Sequence, residues 1–357
     1  MVNPNKILVI RFSALGDLVL TSPIFRELKR VFPNTKITLL TSAEGGSVLK
    51  NNPHIDHFIW HNRKESYSEI RSLIKYLKKE NFDLVYDAHR SLRSIWIVWN
   101  LTKFVFHKKT NTWAINKRSW QRILLIYFKI NFLKNSSSQR QHLLLPLQKH
   151  TDLLLNNHTE LFPDQNAVKQ IRYFLNNNNL LHKQYIAIGA SASHPLKCWP
   201  IKYFKELISK LIKHDFPVVL VGGENETEYK RLEQDFSKTI INAAGEFSPL
   251  ESAELLKHAR IVITNDTSIT HLAEAMNTPV IVLFGPTVRE FGYLPFLRES
   301  KIIETKEKLR CRPCSRDGRG KCINIKKLRC MTSITPDMVL SIIPELNNDL
   351  NYENLNN

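Results

Sequence analysis

Ile7-Leu8-Val9-Ile10-Arg11-Phe12-Ser13-Ala14-Leu15-Gly16-Asp17 sets an apolar run directly before a small polar turn. Ile261-Val262-Ile263-Thr264-Asn265-Asp266-Thr267-Ser268-Ile269-Thr270-His271 does the same in the other half of the chain. A short aliphatic run bounded by polar residues reads as a strand buried on both faces, as in parallel sheets. The Ser, Asp or Thr that follows, ahead of a new apolar period, reads as a helix start. In open parallel sheets, ligands bind at the carboxyl ends of the strands. Two such ends, one with the carboxylate of Asp17 and one with a cluster of hydroxyls, point to an enzyme that joins two substrates.

Outward from these runs, strand and helix alternate. The first half predicts strands at 7–10, 37–40 and 84–86 and helices at 21–31, with Pro23 near its start, and 70–79. The second half predicts strands at 185–188, 218–221, 240–241, 261–263 and 280–284, with helices at 204–214, 226–236, 249–258 and 269–276 between and after them. Such alternation makes an α/β protein with parallel sheets. At 357 residues the chain exceeds the roughly 250–300 that one core supports. We therefore expect a first domain at 1–175, a second at 183–335, and a terminal helix and tail at 336–357, with Asn176–Asn179 as the linker and 134–139 as a Ser-rich loop.

The net charge is +18, and it is unevenly placed. From Ala88 to Thr151 there is no Asp or Glu, but there are twelve Lys and Arg (Arg90, Arg93, Lys108, Lys109, Lys117, Arg118 and Arg122 among them) and four of the six tryptophans. Basic residues interleaved with Trp96, Trp99, Trp113, Trp120, Phe104, Phe106, Tyr127, Phe128 and Phe132 suit an anionic membrane surface. The same composition suits a nucleic acid, or simply a solvated basic face over buried aromatics. Arg11 interrupts the first apolar run, so it does not read as a secretory segment. The apolar stretches 95–99 and 123–128 fall far short of the ~20 residues that span a bilayer. The expectation is a cytoplasmic protein that meets a membrane, if at all, from its surface.

Three predicted strand ends in the second half carry small polar residues: Gly189-Ala190-Ser191, Gly222-Gly223-Glu224 and Asp266-Thr267-Ser268. The last needs no more than N-capping to explain it, but the three together line one crevice. A helix N-terminus there favours a phosphate. Lys197, at another helix start after Ser193, adds a point charge for a diphosphate. Glu224 or Glu226 fits the acceptor role toward ribose hydroxyls. In the first half, Ser13–Asp17 is not a G-x-G-x-x-G loop, which argues against a nicotinamide or flavin site. Asp17 is placed as a general base or a plain helix cap. Asp87-Ala88-His89-Arg90, with Arg93, offers arginines for an anionic acceptor or for ordinary surface ion pairs.

Taken together, these runs resemble the ADP-heptose:lipopolysaccharide heptosyltransferases and their relatives in glycosyltransferase family 9. The resemblance rests on Arg11–Asp17 with Thr21-Ser22-Pro23, on Asp87-Ala88 with Arg93-Ser94, and on Gly189-Ala190-Ser191 with Lys197-Cys198-Trp199-Pro200. Val221-Gly222-Gly223-Glu224, Asn265–Ala273 and Phe284-Gly285-Pro286-Thr287 complete it over nearly the whole chain. It implies two Rossmann-like domains facing a cleft, the GT-B architecture, and an inverting, metal-independent transfer with no cofactor. An ADP-sugar donor would sit on the second domain. An anionic, lipid-linked lipopolysaccharide acceptor at the inner face of the inner membrane would sit on the first, and no nucleic acid is expected. Position by position, Asp17 matches the general base and Lys197 the diphosphate lysine. Asp266, Thr267 and His271 match donor contacts, and Ser193 matches a hydroxyl donor. Ser191, Glu224 and Ser268 join the donor set, and Ser13, Arg90 and Arg93 the acceptor set. Ser268 stands where the family has Gly, His89-Arg90 where it has Gln-Gly, and Arg93 where it usually has Lys. These departures bear on the identity of donor and acceptor.

Cys311, Cys314, Cys322 and Cys330 run C-x2-C-x7-C-x7-C, and ten Lys and Arg lie between Lys306 and Arg329 inclusive. The first pair is half of a zinc pattern, and the second half lacks the tight spacing that would complete it. Two rivals to heptosyl transfer stand beside it: a transferase of the same architecture using another nucleotide sugar, and a basic nucleic-acid binder.

Overall fold

The structure, a computed structural model, describes residues 3–62, 66–103, 110–180, 182, 184–224, 227–237 and 239–343. The chain forms two compact units. One comprises Met1–Ser119 and Ser137–Phe162; the other comprises Trp120–Ser136 and Pro163–Asn357.

In the first unit, β1 (Lys6–Ile10), β2 (Lys36–Ser42), β3 (His57–His61), β4 (Leu84–Asp87) and β5 (Asn111–Ala114) form one sheet in the order β3-β2-β1-β4-β5. All four pairings are parallel, with Ile10 level with Leu40 on one side and with Asp87 on the other. Leu8, Ile10 and Val85 pack against Ile70, Ile74 and Leu77 of helix Tyr67–Lys79 and against Ile97 and Leu101 of helix Leu92–Lys103. Ser66 caps the first of these helices, and Glu69 reaches back to the Ser66 backbone, a reciprocal pair that satisfies two orphan donors.

The second unit contains β6 (Ile186–Gly189), β7 (Val218–Leu220), β8 (Ile240–Asn242), β9 (Ile261–Asn265), β10 (Val280–Phe284) and β11 (Lys301–Glu304). Their order is β11-β10-β9-β6-β7-β8, again all parallel. Counted from its own first strand, each sheet has the Rossmann order, and the winding reverses at β1/β4 and at β6/β9. These two switch points are where each sheet leaves a crevice for a ligand.

The predicted strands and helices are all present within a few residues, and helix Pro249–His258 and β10 match their expected limits. Strands β3, β5 and β11, and helices Leu92–Lys103, Gln139–Gln148 and Gln165–Asn177, were not foreseen. The domain limits also differ from expectation. Asn176–Asn179 is a helix end instead of a linker: Asn178 Nδ2 donates to Phe174 O at 2.9 Å, Asn179 takes a left-handed φ of 52°, and Leu180 N closes on Leu175 O at 2.9 Å. That helix, Gln165–Asn177, packs on Pro249–His258 inside the second unit, which therefore begins at Pro163. Helix Pro336–Leu340 is part of the same unit, with Val339 and Leu340 in its core. The tail at 347–357, together with Phe104, Phe106, Lys108, Lys109 and Glu226, lies outside the described residues.

Candidate functional site

At the first switch point, β1 runs into Arg11, whose buried side chain binds three groups. Its Nε donates to Ser13 O at 3.1 Å, Nη1 to Ala88 O at 2.6 Å beyond β4, and Nη2 meets Asp17 Oδ2 at 2.6 Å. Arg11 thus ties the two strand ends together and fixes one oxygen of Asp17 by a charge-assisted bond. Asp17 lies in helix Leu15–Val19, half-buried, and Ser13 precedes that helix, joined to Ala14 by a cis peptide.

Across the switch point Asp87 is buried and works on its own turn. Its Oδ1 accepts from the backbone N–H of His89 (3.0 Å) and Arg90 (2.8 Å), and its Oδ2 from Ser94 Oγ (3.0 Å). This Asx geometry fixes the loop from which exposed Arg90 projects, at φ 52°. Arg93 Nη1 donates to Nε2 of the buried His61, the last residue of β3, at 2.8 Å. The His61 ring lies 5.1 Å from Phe12, which also meets His89 edge-on at 5.1 Å. A carboxylate, an exposed arginine and a braced arginine therefore border one strand-end crevice of the first unit.

At the second switch point Asn265 is the organiser. Its Oδ1 accepts from Trp199 N at 3.0 Å, and its Nδ2 donates to Ala190 O (3.0 Å) and Ser191 O (3.2 Å). The ends of β6 and β9 and the entry to helix Ile201–Lys213 are held by this one buried amide. Asp266 then takes Lys197: Nζ lies 2.7 Å from Oδ2 and donates to Asp266 O at 3.1 Å. Thr287 Oγ1 donates to the same Oδ2 at 2.8 Å. Both neighbours engage Oδ2, through which Asp266 holds Lys197. The hydroxyl of Thr267 caps helix Ser268–Ala275, accepting from Ile269 N at 3.3 Å. Ser268 opens the helix, and His271 is buried one turn in, 6.3 Å ring to ring from Tyr293. An ammonium and a helix N-terminus thus converge where a diphosphate would be neutralised.

The other expected donor residues border this crevice differently. Ser191 is buried, and its N–H donates to Tyr229 Oη at 3.3 Å; that hydroxyl in turn donates to Val221 O at 2.8 Å. Ser193 is exposed, and so is Glu224 in the turn after β7. Gly245, at φ 84°, runs so close beneath that turn that a Cβ would sit 2.6 Å from Glu224 Cα. Gly318, at φ 87°, lies against the stem of Lys197, where a Cβ would come within 2.7 Å of Cγ. The cysteine-bearing segment is therefore in contact with the candidate diphosphate lysine. None of the five cysteines forms a disulfide. Cys322 Sγ accepts from Leu328 N at 3.2 Å and Cys311 Sγ from Asn324 Nδ2 at 3.5 Å. Burial pushes the Cys314 thiol up and that of Cys330 to about 11. Among the described residues, no group of three or more His, Cys, Asp or Glu is arranged to hold a metal ion.

Glycosyltransferase family 9 (heptosyltransferase) matches residues 70–320. The chain belongs to this family. As a family 9 member it is a glycosyltransferase, built from the two Rossmann-like units of the GT-B class. It is 27% identical to lipopolysaccharide heptosyltransferase 3 of Escherichia coli over 291 residues, 76% of this chain and 81% of that protein. In fold it is similar to a glycosyl transferase family 9 structure from Veillonella parvula, with a TM-score of 0.76 at 18% identity over 96% of this chain and 97% of that one. It is also similar to E. coli ADP-heptose lps heptosyltransferase II, with a TM-score of 0.70 at 21% identity over 96% and 98%.

Several residues of this family 9 site were named in the sequence motifs without a role. Arg11 and Asn265 carried one signal: a polar residue at the end of an aliphatic run, directly after Ile10 in one case and one residue beyond Ile263 in the other. Thr287 closes the Phe284-Gly285-Pro286-Thr287 motif, but nothing in that motif points to Asp266. His61 and Gly318 lie far along the chain from the groups they brace, and no local pattern marks them.

Proposed function

We propose that this family 9 enzyme moves a heptose from an ADP-sugar to a hydroxyl of the lipopolysaccharide inner core, with inversion and without a metal, at the cytoplasmic face of the membrane that carries the acceptor. One observation supports this most: each unit has a Rossmann switch point, one built around a carboxylate fixed by Arg11, the other around Lys197 at a helix N-terminus. In the proposed step the acceptor oxygen attacks the anomeric carbon from the face opposite the diphosphate. Its proton passes to Asp17, the bond from the anomeric carbon to the phosphate oxygen breaks, and the diphosphate leaves with the electron pair. Lys197 and the N–H groups opening helix Ser268–Ala275 stabilise that developing charge. A lysine ammonium has three donors; Asp266 engages two of them, through Oδ2 and its backbone carbonyl. Arg90 and Arg93 take the anionic groups of the acceptor, and Ser13 lies beside the attacking hydroxyl. Ser191, Ser193, Glu224, Thr267, Ser268 and His271 hold the nucleotide and sugar.

The test begins with thermal shifts of the purified protein with ADP, UDP, GDP and CDP in the presence of a chelator. A shift for ADP alone supports the donor, and transfer to truncated lipopolysaccharide is then assayed directly. Asp17→Asn is expected to lower kcat by about 10²–10⁴-fold while the ADP shift is retained. Normal turnover in that variant sinks the mechanism. Preference for another nucleotide keeps glycosyl transfer and discards ADP-heptose.

A further inference from the structure

Trp120–Ser136 belongs to the second unit although it interrupts the first in sequence. It runs as helix Ser119–Ile123, a wider turn at Leu124–Phe128, and a reversal at Lys129 with φ 59°. One side is anchored. Leu125 and Leu133 are buried with Phe291, and Lys129 Nζ donates to Pro313 O at 2.7 Å. The other side shows solvent large apolar groups: Trp120 is 55% exposed, Tyr127 74%, Phe128 66% and Phe132 61%, with Ile123 and Ile130 beside them. Trp120 and Phe132, at its two ends, pack with ring centroids 5.6 Å apart. Six large apolar residues in thirteen, held outward by a buried backing, form a patch of the kind monomeric proteins seldom leave open.

We propose that this face docks on an anionic lipid surface, seating Trp120, Tyr127, Phe128 and Phe132 at the level of the headgroups. Trp and Tyr are the side chains that favour a membrane–water interface, where ring and polar tip are both satisfied. The charge agrees. The segment carries Arg122, Lys129 and Lys134 and no acid, within the acid-free stretch from Ala88 to Thr151. Lys134 is exposed, while Arg122 and Lys129 reach back to Phe291 O and Pro313 O and add positive charge from behind the face. Asn131 Nδ2 donates to Glu290 Oε1 at 2.9 Å. A second copy of the chain is a poor occupant, since at +18 it would set like charges face to face. No helix among the described residues is long and apolar enough to cross a membrane, so the contact is one of surface docking. The proposal rests on the reading of a lipid-borne acceptor: docking would carry the enzyme to a substrate that does not leave the bilayer.

The test is co-sedimentation of the full chain with vesicles of phosphatidylglycerol and phosphatidylethanolamine, and with vesicles of phosphatidylcholine alone. The protein is expected to partition to the anionic vesicles and to be released by salt. The double variant Tyr127→Ser, Phe128→Ser is expected to bind them about tenfold or more weakly, with an unchanged ADP thermal shift and melting temperature. Equal binding by that variant, or no binding by the wild type, overturns the proposal. So does light scattering that finds a dimer which the double substitution turns into a monomer. The assay contains neither donor nor acceptor, so a failure here leaves the heptosyl-transfer reading standing, and failure of ADP to shift melting leaves the docking result readable.

Discussion

Asn265 holds three loops with one buried amide, and nothing else of its size can both donate twice and accept from Trp199. Replacing it by Ala removes three hydrogen bonds and leaves two carbonyls and an N–H without their partner. At roughly 0.5–1.5 kcal/mol each, Asn265→Ala is expected to destabilise the protein by about 2–4 kcal/mol, measurable by urea unfolding. It should also weaken ADP, because the Lys197 loop and the Asp266 turn lose their common tether. Lys197→Ala acts differently. It leaves the fold intact and removes a charged partner worth about 1.5–3 kcal/mol, so ADP should bind about ten- to a hundredfold more weakly by calorimetry. An unchanged affinity would remove Lys197 from the site. Asp17, Lys197 and Thr267 could be singled out in the sequence because each sits beside an apolar run that marks a strand or helix end. His61 could not, since it reaches Arg93 across the sheet from a distant strand end, and Thr287, though part of a motif, gave no sign of its bond to Asp266.

Among the elements, those buried on both faces were the legible ones. β1 and β10 are apolar almost throughout and β9 opens on Ile-Val-Ile, and burial at nearly every position explains that composition. β3, His-Phe-Ile-Trp-His, and β5, Asn-Thr-Trp-Ala, lie at the edges of their sheet, partly exposed and short of aliphatic residues, and no periodicity announced them. Helix Gln139–Gln148 carries Pro146 inside it, and Gln165–Asn177 ends in a run of asparagines that reads as a linker until the cap geometry is seen. The loop holding Gly318 was legible only as a cysteine pattern, and its contact with Lys197 gives it another role. Gly318→Ala places a side chain at φ 87° and against Lys197 Cγ. The strain alone costs about 1–2 kcal/mol. The lysine stem must also move, so KM for the donor is expected to rise severalfold in steady-state assays while the vesicle affinity stays constant.

On the scale of the whole chain, composition foretold two domains and a basic stretch but not how the chain is shared between units. Trp120–Ser136 and helix Gln165–Asn177 both cover the second unit. A fragment beginning at residue 183 lacks both and would leave Phe291 and the face of helix Pro249–His258 bare. That fragment is expected to show no cooperative thermal transition by circular dichroism, where the full chain shows one. A sharp melt would contradict the division of units described above. The interleaving also has a consequence for how the protein is made. Arg122 pairs with the carbonyl of Phe291, 169 residues further on. At about 5–20 residues per second, that stretch of messenger takes a ribosome roughly ten to thirty seconds to read. Through that interval Leu125 and Leu133 have no partner, while the first unit, whose last residue is Phe162, is already free to close. The nascent chain must therefore carry an oily hairpin in waiting, and a chaperone or a nearby bilayer is what can shelter it until Phe291 emerges.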